Sequence, residues 1–435
     1  MTSSDPTAST IDHTASAGQT AAAPAQAPAS VVASTAEPTQ PVLAQAPPRS
    51  SSLLALGIVG IVLVSLVALG VVVFLLNILG ADAVALGGIM ALVPLAIVFF
   101  GVRWVDRWEP EPRVAVTFAF LWGAAVSVAL ALIVGFAVQV AQEISRFDAQ
   151  TADFLGSVVQ APLVEEGGKG LGLLILFWAA RKHFDGPVDG LVYAAWVAGG
   201  FAFTENILYF GSELLNSGGF DGNVFMIFLI RGLMSPFAHV MFTAFIGIAL
   251  GFAARRGASP IGALGFFILG FIPAILLHGF WNGALYFVSD FFVYYFLVQV
   301  PLFIGAVLVA FWLRRQEAKI TRDRLGEYAS VGWFNPDEVV ALATPAGRRQ
   351  SMVWARQRGK GKEMKRYIQD ATKLAFARQR IITGRYKIQA EADETLLLAS
   401  IVEARKAFAG SATPAAAAAP TTPAATPPAT PPTAV

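Results

Sequence analysis

Six ionisable side chains lie inside long apolar runs of this chain. Glu165, Glu166 and Lys169 share one run, and Glu205, His239 and His278 each occupy another. Asn206 adjoins Glu205, and Asn282 follows His278 at i,i+4. An ionisable group in hydrocarbon is costly, so each is a functional candidate. Carboxylate and neutral imidazole suit a divalent metal such as zinc. A glutamate beside bound water is also a candidate general base. Together these are the parts of a hydrolase that activates water. Lys169 follows Glu165 by four positions and Glu166 by three, so it can pair with either acid one turn away. The two glutamates point about 100° apart on a helix. One therefore faces the shared site and the other a neighbouring helix or Lys169. The plainer alternatives are hydrogen-bonded cross-links between helices, or the lining of a proton or ion path.

The elements that must position these groups follow from composition. Of the 435 residues, 55% are hydrophobic and 14% charged, whereas soluble domains are about a quarter charged. The apolar residues come in runs of about twenty, enough to cross a hydrocarbon core of ~30 Å. Eight spans are expected, at 53–77, 83–102, 114–140, 160–180, 188–210, 232–252, 262–286 and 291–313, with residues 224–231 either extending the sixth or forming a short interfacial helix. Loops after even spans carry Arg103, Arg107, Arg113, Arg181, Lys182, Arg255 and Arg256, and Arg314-Arg315 follows the eighth. Loops after odd spans carry Arg146 alone. The positive-inside rule puts both termini in the cytoplasm of a multi-pass cell-membrane protein. Glu165 and Glu205 then fall about five residues below the outer surface, His239 about seven and His278 about nine. Four helices thus bring polar groups to similar depth, which predicts one buried site in the outer half of the membrane.

The other segments differ in character. Residues 1–52 and 412–435 are low-complexity, rich in Ala, Pro and Thr, and read as disordered tails. Residues 53–314 form the transmembrane domain. Residues 315–411 read as a small basic helical cytoplasmic domain, with 20 Lys and Arg against 11 Asp and Glu from Arg314 onward. Its surface suits anionic lipid, and no nucleic-acid recognition motif accompanies the charge. Asn335-Pro336-Asp337-Glu338 marks a helix start. Cysteine is absent, which removes disulfides and thiol chemistry. The motifs HExxH, GxGD and GxSG are absent as well.

With these residues in place, the chain resembles the PrsW family of intramembrane metalloproteases, a relative of the CAAX prenyl proteases. The resemblance runs over roughly 85–320. It is carried by EExxK at Glu165–Lys169, FxxxEN at Phe201 through Glu205-Asn206, His239 after Ser235-Pro236, and HxxxN at His278–Asn282. The loop Asp106–Pro112, DRWEPEP, is similar to the family's approach to its third span. One departure is Thr243, where a glycine is expected.

The resemblance implies proteolysis of a membrane-anchored protein near the extracytoplasmic face. An anti-sigma factor is the substrate of the family's namesake. On this reading the protein is an all-α polytopic bundle. Glu165 or Glu166 is the base, and Glu205, His239 and His278 are metal ligands, for zinc, or transition-state donors. Asn206 and Asn282 orient neighbours, and Lys169 tunes a glutamate. A metal-free mechanism fits the same residues, with glutamate activating water and histidines stabilising the oxyanion. The rival is a non-enzymatic transporter or membrane sensor with a buried Glu/His proton or cation site. Discontinuous helices at Gly/Pro breaks would favour it, and Gly167-Gly168 keeps it open.

Overall fold

The computed structural model describes residues 51–409, apart from 146, 181, 182, 285, 385 and 386. The expected disordered tails at 1–50 and 412–435 lie outside the described residues, as do the loop cations Arg146, Arg181 and Lys182. No strand occurs among the described residues.

Seven helices are long and apolar enough to cross a membrane. They are α1 (Ser51–Leu79, counted from Ile58), α2 (Ala81–Val105), α3 (Arg113–Ser145), α5 (Pro187–Asn216), α6 (Gly222–Arg255), α7 (Pro260–Ala284) and α8 (Phe291–Ser330). The remaining expected span, the fourth, is also helical, as α4 (Ala161–Ala179), but Glu165, Glu166 and Lys169 keep it out of the apolar set. Those charges are buried by neighbouring helices instead of facing lipid.

Helix starts obey capping chemistry. Asp221 accepts hydrogen bonds from the Asn223 and Val224 amides, and Asp290 from those of Phe292 and Val293. The first of these caps starts α6 at Gly222, so residues 224–231 extend the sixth span. Pro236 cannot donate to the helix ladder. The turns Phe228–Met234 are wound wider, and regular winding resumes at Ala238. The sixth span is thus broken just before His239.

The centre of the bundle is α5, with 61% of its most apolar stretch buried, against 17% for α1. It packs on α2 and α6. Gly190 of α5 and Gly247 of α6 allow this approach. A Cβ on Gly190 would lie 1.9 Å from the Gly247 carbonyl oxygen, and one on Gly247 2.1 Å from that of Gly190. Small residues at helix contacts serve this purpose in membranes. The glycines of α4 act similarly. A Cβ on Gly172 would lie 2.3 Å from the Trp122 indole, whose N–H donates to the Gly168 carbonyl at 2.9 Å. The helix is continuous through Gly167-Gly168.

Beyond the bundle, α8 runs on to Ser330 and enters a helical module with α9 (Pro336–Leu342), α10 (Pro345–Gln357), α11 (Gly361–Ile382) and α12 (Lys387–Ala409). Asn335 caps α9 through the Asp337 amide, as its sequence foretells. Leu325, Tyr328, Phe334, Tyr367, Leu374 and Phe408 are part of the module's core.

Part of the basic excess points inward. The Arg348 guanidinium stacks 3.3 Å from the centroid of the Trp108 ring and donates to the Trp108 carbonyl. Arg380 pairs with Asp185 at 2.5 Å. Beneath these contacts lies a nest of acids that includes Asp106, Glu109, Glu111 and Asp189. Glu111 accepts from the Tyr193 hydroxyl, and its amide donates to Asp106 at 3.0 Å. Burial pushes the Asp106 carboxyl up to about 6. Burial, then the nearby acids Asp185 and Asp189, pushes Glu109 well up, and burial, then Asp189, does the same to Glu111.

Candidate functional site

The polar residues of α4, α5, α6 and α7 converge. Lys169 is fully buried, with its ammonium 2.8 Å from Glu166, 3.3 Å from Glu165 and 3.1 Å from His239 Nδ1. It also lies 3.9 Å from the centroid of the Phe201 ring. Lysine pairs with both acids, where the helical spacing left the choice open.

The two glutamates are not equivalent. Glu166 is fully enclosed and has three partners: Lys169, the Thr243 hydroxyl at 2.7 Å and His278 Nδ1 at 3.1 Å. Glu165 lines a cavity of about 610 Å³. Its Oε2 is 3.9 Å from His239 Nδ1 and 3.9 Å from His278 Nε2. The imidazole centroids are 5.2 Å apart.

These contacts fix the ring tautomers. A carboxylate only accepts, so the nitrogens facing Glu205 and Glu166 carry the hydrogens. His239 Nε2–H donates to Glu205 at 2.8 Å, and His278 Nδ1–H to Glu166. His239 Nδ1 and His278 Nε2 keep their lone pairs on the Glu165 side. Glu205 is clamped in turn by Arg231 at 2.6 Å, whose Nε donates to Asn206 Oδ1 at 3.2 Å. The Arg231 guanidinium stacks 3.8 Å from the Tyr209 ring centroid. Asn282 stands on the cavity wall and donates to the Ser157 carbonyl at 2.9 Å.

Among the described residues, the group able to hold a metal ion is Glu165, His239 and His278, with donor atoms within 4.8 Å of one another. The sequence reading put Glu205 in that set. Here Glu205 stands behind His239, with its Oε2 shared between imidazole and guanidinium. The donors fit zinc in kind, and each histidine is backed by a carboxylate, as metal-bound histidines are. A metal there would displace the ammonium of Lys169 from Glu165 and His239.

Sequence reasoning missed the anchoring by Thr243 and the clamp by Arg231. Thr243 appeared only as a departure from pattern, and Arg231 only as a charge beside a span. The position of Arg231 within the stretch Phe228–Met234, near the membrane depth of Glu205, was the available signal.

The family model described as PrsW family intramembrane metalloprotease matches residues 111–306. A relative named Protease PrsW from Clostridioides difficile (strain 630) is 32% identical over 191 residues, 44% of this chain and 75% of that protein. Another of that name, from Bacillus subtilis (strain 168), is 31% identical over 144 residues, 33% of this chain and 60% of that protein. No solved structure matches the chain.

Proposed function

The chain belongs to the PrsW family of intramembrane proteases, and from that premise we propose that it hydrolyses a peptide bond of a membrane-anchored protein at the Glu165/His239/His278 cluster. The observation that carries this is the meeting of one cavity-facing carboxylate and two imidazole lone pairs on one wall. Both termini are read as cytoplasmic from the alternation of loop cations, with the cavity then opening toward the outer leaflet. An anti-sigma factor is one substrate of the right kind, a regulatory protein anchored by a single span. The kinship with CAAX prenyl proteases rests on the motifs alone.

In this mechanism Glu165 is the base. It removes a proton from water as the oxygen attacks the substrate carbonyl, then delivers that proton to the leaving amine. Lys169 keeps Glu165 ionised and oriented. Glu166, held by Thr243, fixes Lys169 and His278. Glu205, Arg231 and Asn206 fix His239. Asn282 supports the cavity wall at Ser157. A metal, held by Glu165, His239 and His278, would supply Lewis-acid polarisation and a more acidic water. The metal-free alternative is favoured by one observation: Lys169 already places a positive charge against two of those three donors.

The broken sixth span is the feature that keeps the transporter reading in play. Reconstituted protein incubated with single-pass protein substrates, with and without chelator, separates the readings. Cleavage abolished by chelator and restored by zinc supports the metalloprotease. Cleavage indifferent to chelator, with no bound metal, supports the ammonium-based site. No cleavage of any substrate, with proton or cation flux instead, overturns the protease.

A further inference from the structure

The cations of the helical module are unevenly placed. Arg356, Arg358, Lys360, Lys362 and Lys365 crowd the turn that joins α10 to α11. Four of them are exposed, and Lys360 is half-buried. The acid among them, Glu363, has one carboxylate oxygen buried in the protein. Acids on the neighbouring turns and on α12 are engaged with other groups. Asp370 accepts from Ser400 and pairs with Arg366, and Glu403 pairs with Lys406.

The fold holds this turn away from the bilayer. The α8 helix leaves its apolar run at Arg314 and continues to Ser330, roughly 24 Å of further helix. The α11 helix lies along that extension, with Arg324 on Gln379 and Arg378 on Glu327. At one end Arg380 ties α11 to Asp185 of the bundle. Nearer its start, Tyr367 donates to Glu338, beyond the end of α8. The basic turn lies further out still. Charge is screened over about 8 Å at physiological salt, so the turn is out of electrostatic reach of lipid headgroups.

The surroundings narrow the choice of anion. Trp354 packs between Arg358 and Phe408, and Tyr367 is buried, so neither ring is offered among these cations for bases to stack on. The chain's own tails bring little acid: Asp5, Asp12 and Glu37 lie in 1–50, and residues 412–435 hold none. A membrane-anchored substrate does bring a segment to this side, tethered beside the turn by its own span. About ten extended residues, at roughly 3.3 Å each, cover the distance from the membrane.

We propose that the α10–α11 turn is a docking site for an acidic segment of the substrate, on the module's side of the membrane and about ten residues from the span. The proposal rests on the proteolytic reading above and adds a substrate class to it. The turn touches nothing in the cavity, so it acts on binding and not on the chemical step.

The test uses full-length protein in nanodiscs of zwitterionic lipid. Binding of a fluorescent Asp/Glu-rich peptide reads the turn without any cleavage. The triple variant R356E/K362E/K365E reverses three exposed cations, and its thermal unfolding confirms that it is folded. Peptide binding should weaken at least about tenfold in the variant, and likewise in high salt. Single-pass substrates then carry an acidic block about twelve residues from the span, the same block about three residues from it, or a neutral block. The distant block should lower KM about five- to tenfold with kcat unchanged, and the triple variant should abolish that advantage. Equal peptide binding by wild type and variant overturns the docking site. An oligonucleotide of equal charge that binds more tightly than the peptide overturns it in favour of nucleic acid. Equal KM for the three substrates overturns the substrate assignment. If wild type cleaves none of them yet binds the peptide, the proteolytic reading falls and the acidic docking site stands.

Discussion

Two buried polar clusters occupy opposite ends of the same bundle, and they are built differently. In the one built on α4 to α7, Lys169 and Arg231 neutralise acids at close range, and Glu165, His239 and His278 line an open cavity. In the other, Asp106, Glu109, Glu111, Asp185 and Asp189 crowd together under a helical module that reaches in with Arg348 and Arg380. The first leaves room for a reactant. The second is filled by protein and fastens the module to the membrane domain. Buried charge alone therefore does not identify a catalytic site. What sets the first cluster apart is a cavity with Glu165, His239 and His278 on its wall.

The largest expected effect tests the enclosed pair in the cavity-lining cluster. Removing one partner of a buried ion pair costs about 3–5 kcal/mol. Glu166→Gln leaves the fully buried Lys169 with less compensation and should lower both stability and activity. Thermal unfolding in detergent, read beside cleavage, checks this. Wild-type stability in E166Q would mean that the two clusters differ less than the contacts indicate.

At the end of the bundle that meets the helical module, Arg348→Ala removes the stacking on Trp108 and the hydrogen bonds to Trp108 and Thr372. It should cost about 1.5–3 kcal/mol, the range for hydrogen bonds to a charged group, and free the module for proteolysis near the end of α8. The variant should keep kcat on substrate, since it touches nothing in the cavity. Unchanged proteolysis would break the fastening role.

Asp106 gives a smaller, pH-dependent effect. Its carboxyl is raised from 3.8 to about 6, chiefly by burial. The folded protein then holds a proton that the unfolded chain releases, so this contribution is full below about pH 4 and lost as pH climbs through about 6. Asp106→Asn keeps an acceptor for the Glu111 amide and removes the buried charge. Relative to wild type it should gain stability at pH 7 and little at pH 4. Unfolding midpoints at the two pH values check the sign.

The smallest effect is expected where charge is exposed. Lys319 and Asp323 pair at 2.7 Å on the surface of α8, 68% and 46% exposed. Lys319→Ala should change stability by less than about 0.5 kcal/mol.

Much of the site was legible because lipid makes charge conspicuous. Glu165, Glu166, Lys169, Glu205, His239 and His278 stood out against apolar surroundings, and span direction put them at one depth. What spacing could not supply was which side each residue presents to its neighbours. That choice moves Glu205 behind His239 and brings Glu165 to the cavity. Thr243 was hidden because a hydroxyl is unremarkable in a span, and its role exists only through contact with Glu166 on another helix. The basic C-terminal module misled in a similar way. A charge count treats Arg348 and Arg380 like surface cations, whereas both are turned onto the membrane domain by long-range packing. The fourth span was visible from its length, yet its charges are tolerated only because α5, α6 and α7 enclose them.

The central claim is that Glu165 is the reactive carboxylate and Glu166 its support. The most direct measurement is cleavage of a defined single-pass substrate by Glu165→Gln, with thermal stability followed in the same preparation. The account predicts a fall in kcat of about 10²–10⁴, the usual worth of a general base, with stability near wild type and substrate still bound. Wild-type cleavage by E165Q would contradict it.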